Sequence, residues 1–138
     1  MYEPRNVKYR RVHRMDFGDK GLVGRGSRLA FGVYGIKSIS AGVIGQRELE
    51  AGRMVLRRGL KKTGGVWLRV FTDIPITSKK IGVRMGKGKG NVVKWGYFLG
   101  VGHVIYELSG VSEQVAKKLL RVVSSKLSVK TKFVKLRG

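Results

Sequence analysis

Cysteine is absent from this chain, which removes disulfides, zinc knuckles and thiol nucleophiles from consideration. Histidine is almost absent. His13 and His103 lie far apart in the sequence, with no carboxylate at ligand or triad spacing beside either. Neither a metal site nor a nucleophilic centre is therefore expected, and neither is a cofactor. No apolar run is longer than a few residues, far short of the roughly 20 needed to cross a bilayer. The opening Met-Tyr-Glu-Pro-Arg lacks the apolar region of a secretory signal, and no Arg- and Ser-rich transit peptide is evident. A protein of this kind working in an organelle would be made there or would have lost its presequence. Carboxylates are the most telling shortage: 8 Asp+Glu stand against 30 Lys+Arg, a formal net charge of +22. A surface so poor in anions cannot be neutralised by its own salt bridges, so the counter-charge comes from a partner. Phosphate polyanions are what such a chain attracts.

What is present argues for a folded body. Of the 138 residues, 42% are hydrophobic, which excludes a disordered basic tail and fits one compact unit with a modest core. No carboxylate lies between Asp73 and Glu107, and within that stretch Arg84 to Asn91 reads Arg-Met-Gly-Lys-Gly-Lys-Gly-Asn. Alternating Gly and Lys cannot build a core and interrupts both helix and strand. Val83 and Val92-Val93 read as strand ends, so residues 79–92 are expected to form a loop projected from a sheet. Arg84 would stand where the strand yields to the loop, its stem held by the sheet and its fork free for phosphate. A P-loop is excluded, because no Gly-Lys-Ser/Thr ending follows the glycines to hold Mg²⁺.

Residues 1–28 read as an extended basic arm. Arg5, Lys8, Arg10, Arg11 and Arg14 alternate with Val7, Tyr9, Val12 and His13, and glycines follow. Cations interleaved with aromatic and imidazole groups suit backbone and stacking contacts to RNA. Residues 29–138 read as a single α+β body. Its strands are expected at Arg28–Tyr34, Val66–Phe71, Ile81–Arg84, Val92–Leu99, Val104–Leu108 and Val129–Val134, with a turn at Asp73-Ile74-Pro75. A helix is expected over 46–62, with Leu49, Gly52, Leu56 and Leu60 on one face and Gly64-Gly65 ending it. A second starts at Ser112 as N-cap and buries Val115, Ala116, Leu119, Leu120 and Val123. Strands, helix, strands, helix, strand gives a two-layer sandwich: a mixed, mainly antiparallel sheet with two helices against it. Trp67 and Trp95 read as core, and Glu48 and Glu50 as salt-bridging partners of helix arginines rather than catalytic acids.

Several stretches carry a family likeness. Trp67 to Thr77 (Trp-Leu-Arg-Val-Phe-Thr-Asp-Ile-Pro-Ile-Thr) and Val83 to Asn91 resemble the two signature segments of bacterial-type large-subunit ribosomal protein sixteen, the universal uL-sixteen family. Phe31 to Lys37, Leu49 to Arg53, Ile105 to Val111 and Lys130 to Val134 are similar in register. The resemblance implies a structural ribosomal protein, not an enzyme, sitting on the large subunit near the peptidyl-transferase and A-site region. It implies large-subunit rRNA, tRNA and neighbouring ribosomal proteins as partners, with no membrane and no small-molecule substrate. Under it, Arg5, Lys8, Tyr9, Arg10, Arg11, His13, Arg14, Lys37, Arg53, Arg57, Arg58, Lys130 and Lys132 are the rRNA-binding candidates. The loop Arg84, Met85, Gly86, Lys87, Gly88, Lys89 and Gly90 would reach toward tRNA and rRNA. Arg84 matches the family's loop arginine, a hydroxylation target in some bacteria.

The chain also departs from the family pattern. Glu3, Asp16 and Asp19 interrupt an arm that is otherwise more uniformly basic in the family, and Gly52 to Leu56 and Gly96 to Val101 differ from the usual segments. This divergence suits an organellar ribosome, with the mitochondrial matrix as expected location and the bacterial cytoplasm as alternative. A free-standing RNA-binding regulator or chaperone is the competing function. It would need a reading helix or sheet aromatics in an RNP-like pattern, and neither is visible in the sequence.

Overall fold

The computed structural model describes residues 3–12, 24–86 and 88–137. In chain order these form β1 (Tyr34–Ser38), β2 (Gly42–Gly45), α1 (Gln46–Leu60), β3 (Gly65–Leu68), β4 (Ile74–Ser78), β5 (Asn91–Leu99), β6 (Val104–Ser109), α2 (Glu113–Lys126) and β7 (Thr131–Lys135). The α+β architecture expected from the sequence is observed. Its strands divide into a four-stranded sheet, β3-β6-β1-β7, and a three-stranded sheet, β2-β5-β4. Every pairing in the two is antiparallel. The chain passes from one sheet to the other at residues 100–103, a corner held by Ser38. The buried Ser38 hydroxyl donates to the Gly100 carbonyl (2.6 Å) and accepts from the His103 N–H (3.2 Å).

β6 is the centre of the larger sheet, and Val104 through Leu108 are all buried. Strand alternation puts Tyr106 on one face and Glu107 on the other. The Tyr106 face meets the helices: its hydroxyl donates to the Leu49 carbonyl at 2.5 Å. Leu49, Leu56 and Leu60 of α1 join Ala116, Leu120 and Val123 of α2 in the core with Ile36, Ile105 and Leu108. The Ser112 cap is present, its hydroxyl accepting from the Val115 N–H. Val115 itself lies off the buried face and is 40% exposed. Leu120→Ala should cost roughly 2–5 kcal/mol in denaturant unfolding. Arg84→Ala with Lys89→Ala, both solvated, should leave the unfolding midpoint almost unchanged.

Several expected boundaries move. The strand expected at Arg28–Tyr34 begins only at Tyr34, because the N–H groups of residues 30–32 point at the Glu107 carboxylate instead of a neighbouring strand. α1 stops at Leu60, not at the glycine pair: Lys61 takes a positive φ (53°, with ψ −127°) that breaks the helix, and its N–H donates to the Arg57 carbonyl. Gly65 then opens β3, a half-buried edge strand ending at Leu68 rather than a buried strand to Phe71. Ile74-Pro75, read as a turn, starts β4. β2 was not expected; its Gly-Val-Ile-Gly is too short and glycine-rich to carry a strand signal, yet it pairs with Gly96–Leu99.

Candidate nucleic-acid interface

The Gly/Lys loop is the tip of the β4–β5 hairpin. Pairing runs from Ile74 opposite Gly96 to Ser78 opposite Asn91, with an irregularity at Ile76/Thr77. At the neck, a Cβ on Gly90 would lie 2.6 Å from the Ser78 carbonyl carbon and oxygen, so only glycine lets the two strands close. Beyond it, the described residues between 79 and 90 carry no strand, and the one expected at Ile81–Arg84 is not formed. Gly82 (φ 86°), Gly86 (φ 105°) and Gly88 (φ 83°) turn the backbone where Ile81 and Val83 alone would favour extension. The loop folds on itself: the Lys79 ammonium donates to the Gly86 carbonyl (2.5 Å) and the Val83 N–H to the Lys80 carbonyl (3.2 Å). Arg84 sits on this loop, beyond the end of β4, so its stem is not held by the sheet. It is exposed, and no described side chain pairs with it. Ile81 and Met85 beside it are fully exposed.

The arm meets the root of this finger. Arg11 donates to the Asn91 side-chain oxygen at 2.5 Å, and the Lys89 ammonium donates to the Val12 carbonyl. Lys8, Tyr9, Arg10 and Arg11 border one shallow groove with Asn91 and Val92. Glu3, Pro4, Arg5, Val7 and Arg10 border another against Trp95, which is buried. Tyr9 remains 68% exposed, with the Lys8 ammonium 5.5 Å from its ring centre. Arm and finger root thus form one continuous surface on which Arg5, Lys8, Arg10, Arg11, Arg84 and Lys89 are all exposed. Such a surface presents anchored cations at the root and an exposed guanidinium on the loop, with an aromatic ring on the arm beside them.

Behind the arm's origin, the segment entering β1 is tied down by Glu107. Its carboxylate is fully buried and accepts from the N–H groups of Ala30 (3.0 Å), Phe31 (2.6 Å) and Gly32 (2.7 Å) and from Arg69 (2.5 Å). Burial alone would raise its pKa, but the three backbone donors and the guanidinium outweigh that, and the group is held below the ordinary glutamate range. Arg69 also lies over the Phe31 ring, which stacks on Trp67. His103 is buried; its desolvation lowers its pKa, against a raising bond from its ring to the Val104 carbonyl. Arg69 nearby adds to the lowering, so both burial and charge favour the neutral ring.

Residues 4–134 match the family described as ribosomal protein L16p/L10e. The large ribosomal subunit protein uL16 of Alkalilimnicola ehrlichii is 44% identical over 134 residues, covering 97% of this chain and 96% of the relative. The proteins of the same name from Rhizobium etli and Rhizobium rhizogenes are each 45% identical over the same share of both chains. The chain belongs to the L16p/L10e family of ribosomal proteins. That family is a structural one, not a family of enzymes. The relatives named are bacterial, and none of them supports a mitochondrial location.

The other binding candidates of this family member are dispersed. His13, Arg14 and Lys87 lie outside the described residues. Arg53 is engaged within α1, gripping Glu50 through two bonds of 2.5 and 3.1 Å. Glu48 accepts from the Ser128 N–H. Arg57 and Arg58 are exposed on the last turn of α1. Lys37 and Lys132 face one another across the β1–β7 pair, with the exposed Lys130 just before β7. Lys37 and Lys132 belong to the four-stranded sheet and the finger to the three-stranded one, so they do not share a site. The sequence reading missed Asn91 as the anchor of the arm. It also missed Arg28, Lys117, Lys135 and Arg137, which gather around Lys37 and Lys132. A separation of 80 residues between Arg11 and Asn91 leaves no local signal for the first.

Proposed function

We propose that the chain is a structural constituent of the large ribosomal subunit that binds rRNA near the peptidyl-transferase and A-site region and helps to position tRNA. Family membership and the names of the relatives support the subunit assignment. The observation that carries the finer reading is the finger. Its neck is closed by Gly90, its root is clamped to the arm, and it offers an exposed Arg84 in a stretch of sequence without carboxylates. The arm's Arg5, Lys8, Tyr9, Arg10 and Arg11, with His13 and Arg14, hold rRNA. Arg53, Arg57, Arg58, Lys37, Lys130 and Lys132 extend these contacts over the body. Residues 1–28 act as the arm and 29–138 as a single rRNA-binding body. The Arg84 to Gly90 tip faces tRNA and the surrounding rRNA. The place of action is the ribosome. Its mitochondrial version rests only on the sequence departures in the arm, at Gly52 to Leu56 and at Gly96 to Val101.

Two measurements on the same particles test this. Co-sedimentation with large subunits in sucrose gradients separates a ribosomal constituent from a free-standing RNA-binding regulator. In particles carrying Arg84→Ala, large subunits should still form, while tRNA binding and peptide synthesis fall several-fold. Arg84→Lys should not restore them, because a single ammonium cannot replace the planar fork on phosphate. Unchanged tRNA binding with Arg84, Lys87 and Lys89 all replaced by Ala would reduce the finger to rRNA filler.

A further inference from the structure

A second basic surface lies on the other sheet. Arg28, Lys37, Lys117, Lys132, Lys135 and Arg137 border an open concavity between α2 and the β7 edge, floored by Phe133 and Val134. One carboxylate, Glu113, stands among these six cations. The Lys135 ammonium lies 2.8 Å from one of its oxygens and the Lys117 ammonium 3.1 Å from the other. Bonds from Lys135 first and Lys117 second hold Glu113 below the ordinary carboxylate range. Two ammonium groups converging on the two oxygens of one anion is also how lysines grip a phosphate. Lys37 and Lys132 extend the positive field along the groove as cross-strand neighbours, an arrangement of like charges that disfavours the sheet and is relieved by an external anion.

We propose that this groove is a second seat for RNA backbone phosphate, and that in the free protein the Glu113 carboxylate occupies the phosphate position between Lys117 and Lys135. The inference rests on the rRNA-binding reading above and adds to it a surface that shares no strand with the finger. RNA is favoured over an acidic protein segment because six cations border this open groove against one carboxylate, in a member of a ribosomal protein family. When a phosphate arrives, Glu113 swings into solvent and the two lysines exchange partners.

The test uses the full chain and deproteinised bacterial large-subunit rRNA, titrated by filter binding over a range of salt. Lys37→Ala with Lys132→Ala should lower the slope of log affinity against log salt by about 1.4–1.8, roughly 0.7–0.9 for each phosphate left without its lysine. Glu113→Gln should tighten binding by about threefold, in the range that surface ion pairs carry. Asp73→Asn, the same charge change outside the groove, should tighten it less. If Glu113→Gln does no more than Asp73→Asn, the placeholder role is overturned. If the groove double variant matches the unaltered chain while Arg84→Ala with Lys89→Ala weakens binding, the groove falls, and with it the body contacts of Lys37 and Lys132, while the arm-and-finger reading stands. If neither pair of substitutions changes affinity, the rRNA-binding reading itself falls, and the groove with it. Poly-glutamate that competes as well as RNA, and does so only when Lys37 and Lys132 are present, would replace RNA by an acidic protein as the occupant.

Discussion

Glu107→Gln should destabilise the folded chain by about 3–5 kcal/mol at neutral pH, the usual result of removing one partner from a buried ion pair. The amide would turn an NH₂ group toward N–H donors. One carboxylate oxygen accepts from Ala30 and Arg69, and the other from Phe31 and Gly32, so either orientation sets donor against donor. The cost therefore includes unsatisfied buried groups as well as the missing charge. The folded-state pKa of Glu107 is depressed, so its stabilisation is fully present above the unfolded glutamate value of about 4.3. It is lost as pH falls below that value and through the folded pKa. Denaturant unfolding of the two proteins should thus differ most at pH 6–7 and converge in acid. A difference below about 1 kcal/mol at neutral pH would show that the segment at residues 30–32 is held by packing alone.

Affinity for rRNA should fall by about a thousandfold between roughly 50 and 200 mM salt. Six exposed cations on arm and finger, each releasing about 0.9 counterion per phosphate neutralised on duplex RNA, give a slope near −5. Adding the groove's lysines would steepen it. Titration of the intact chain against deproteinised rRNA measures the slope directly. A nearly flat dependence would mean that the cations face solvent in the complex, and the reading of the basic surface would fail with it.

The elements that could be read from the sequence are those whose reason is local. α1 and α2 were legible because their apolar residues recur at helical spacing and Ser112 marks a start, and both bury expected leucines. β6 was legible because five consecutive residues are nearly all apolar, and β5 because it follows the loop directly. The Gly/Lys finger was legible because that composition admits neither core nor regular structure. Net charge alone pointed to a polyanionic partner.

Tertiary contacts decided the rest. Whether Ala30, Phe31 and Gly32 continue a strand depends on a carboxylate 75 to 77 residues away, and Glu107 takes the N–H groups a strand partner would have used. Ile81 and Val83 have strand-forming side chains, but glycines in the left-handed region turn the backbone and no strand among the described residues pairs with them. At one crossing between the two sheets, a buried serine bonds the corner at Gly100 and His103, 62 and 65 residues from it in the sequence. Arg11 finding Asn91, and Lys135 finding Glu113, are likewise properties of surfaces assembled from separate segments. Periodicity and composition report what a segment can bury and how its backbone can turn. Which donor meets which acceptor is settled only when the sheets bring them within about 3 Å, and here that decides where the basic residues form a surface rather than a scatter.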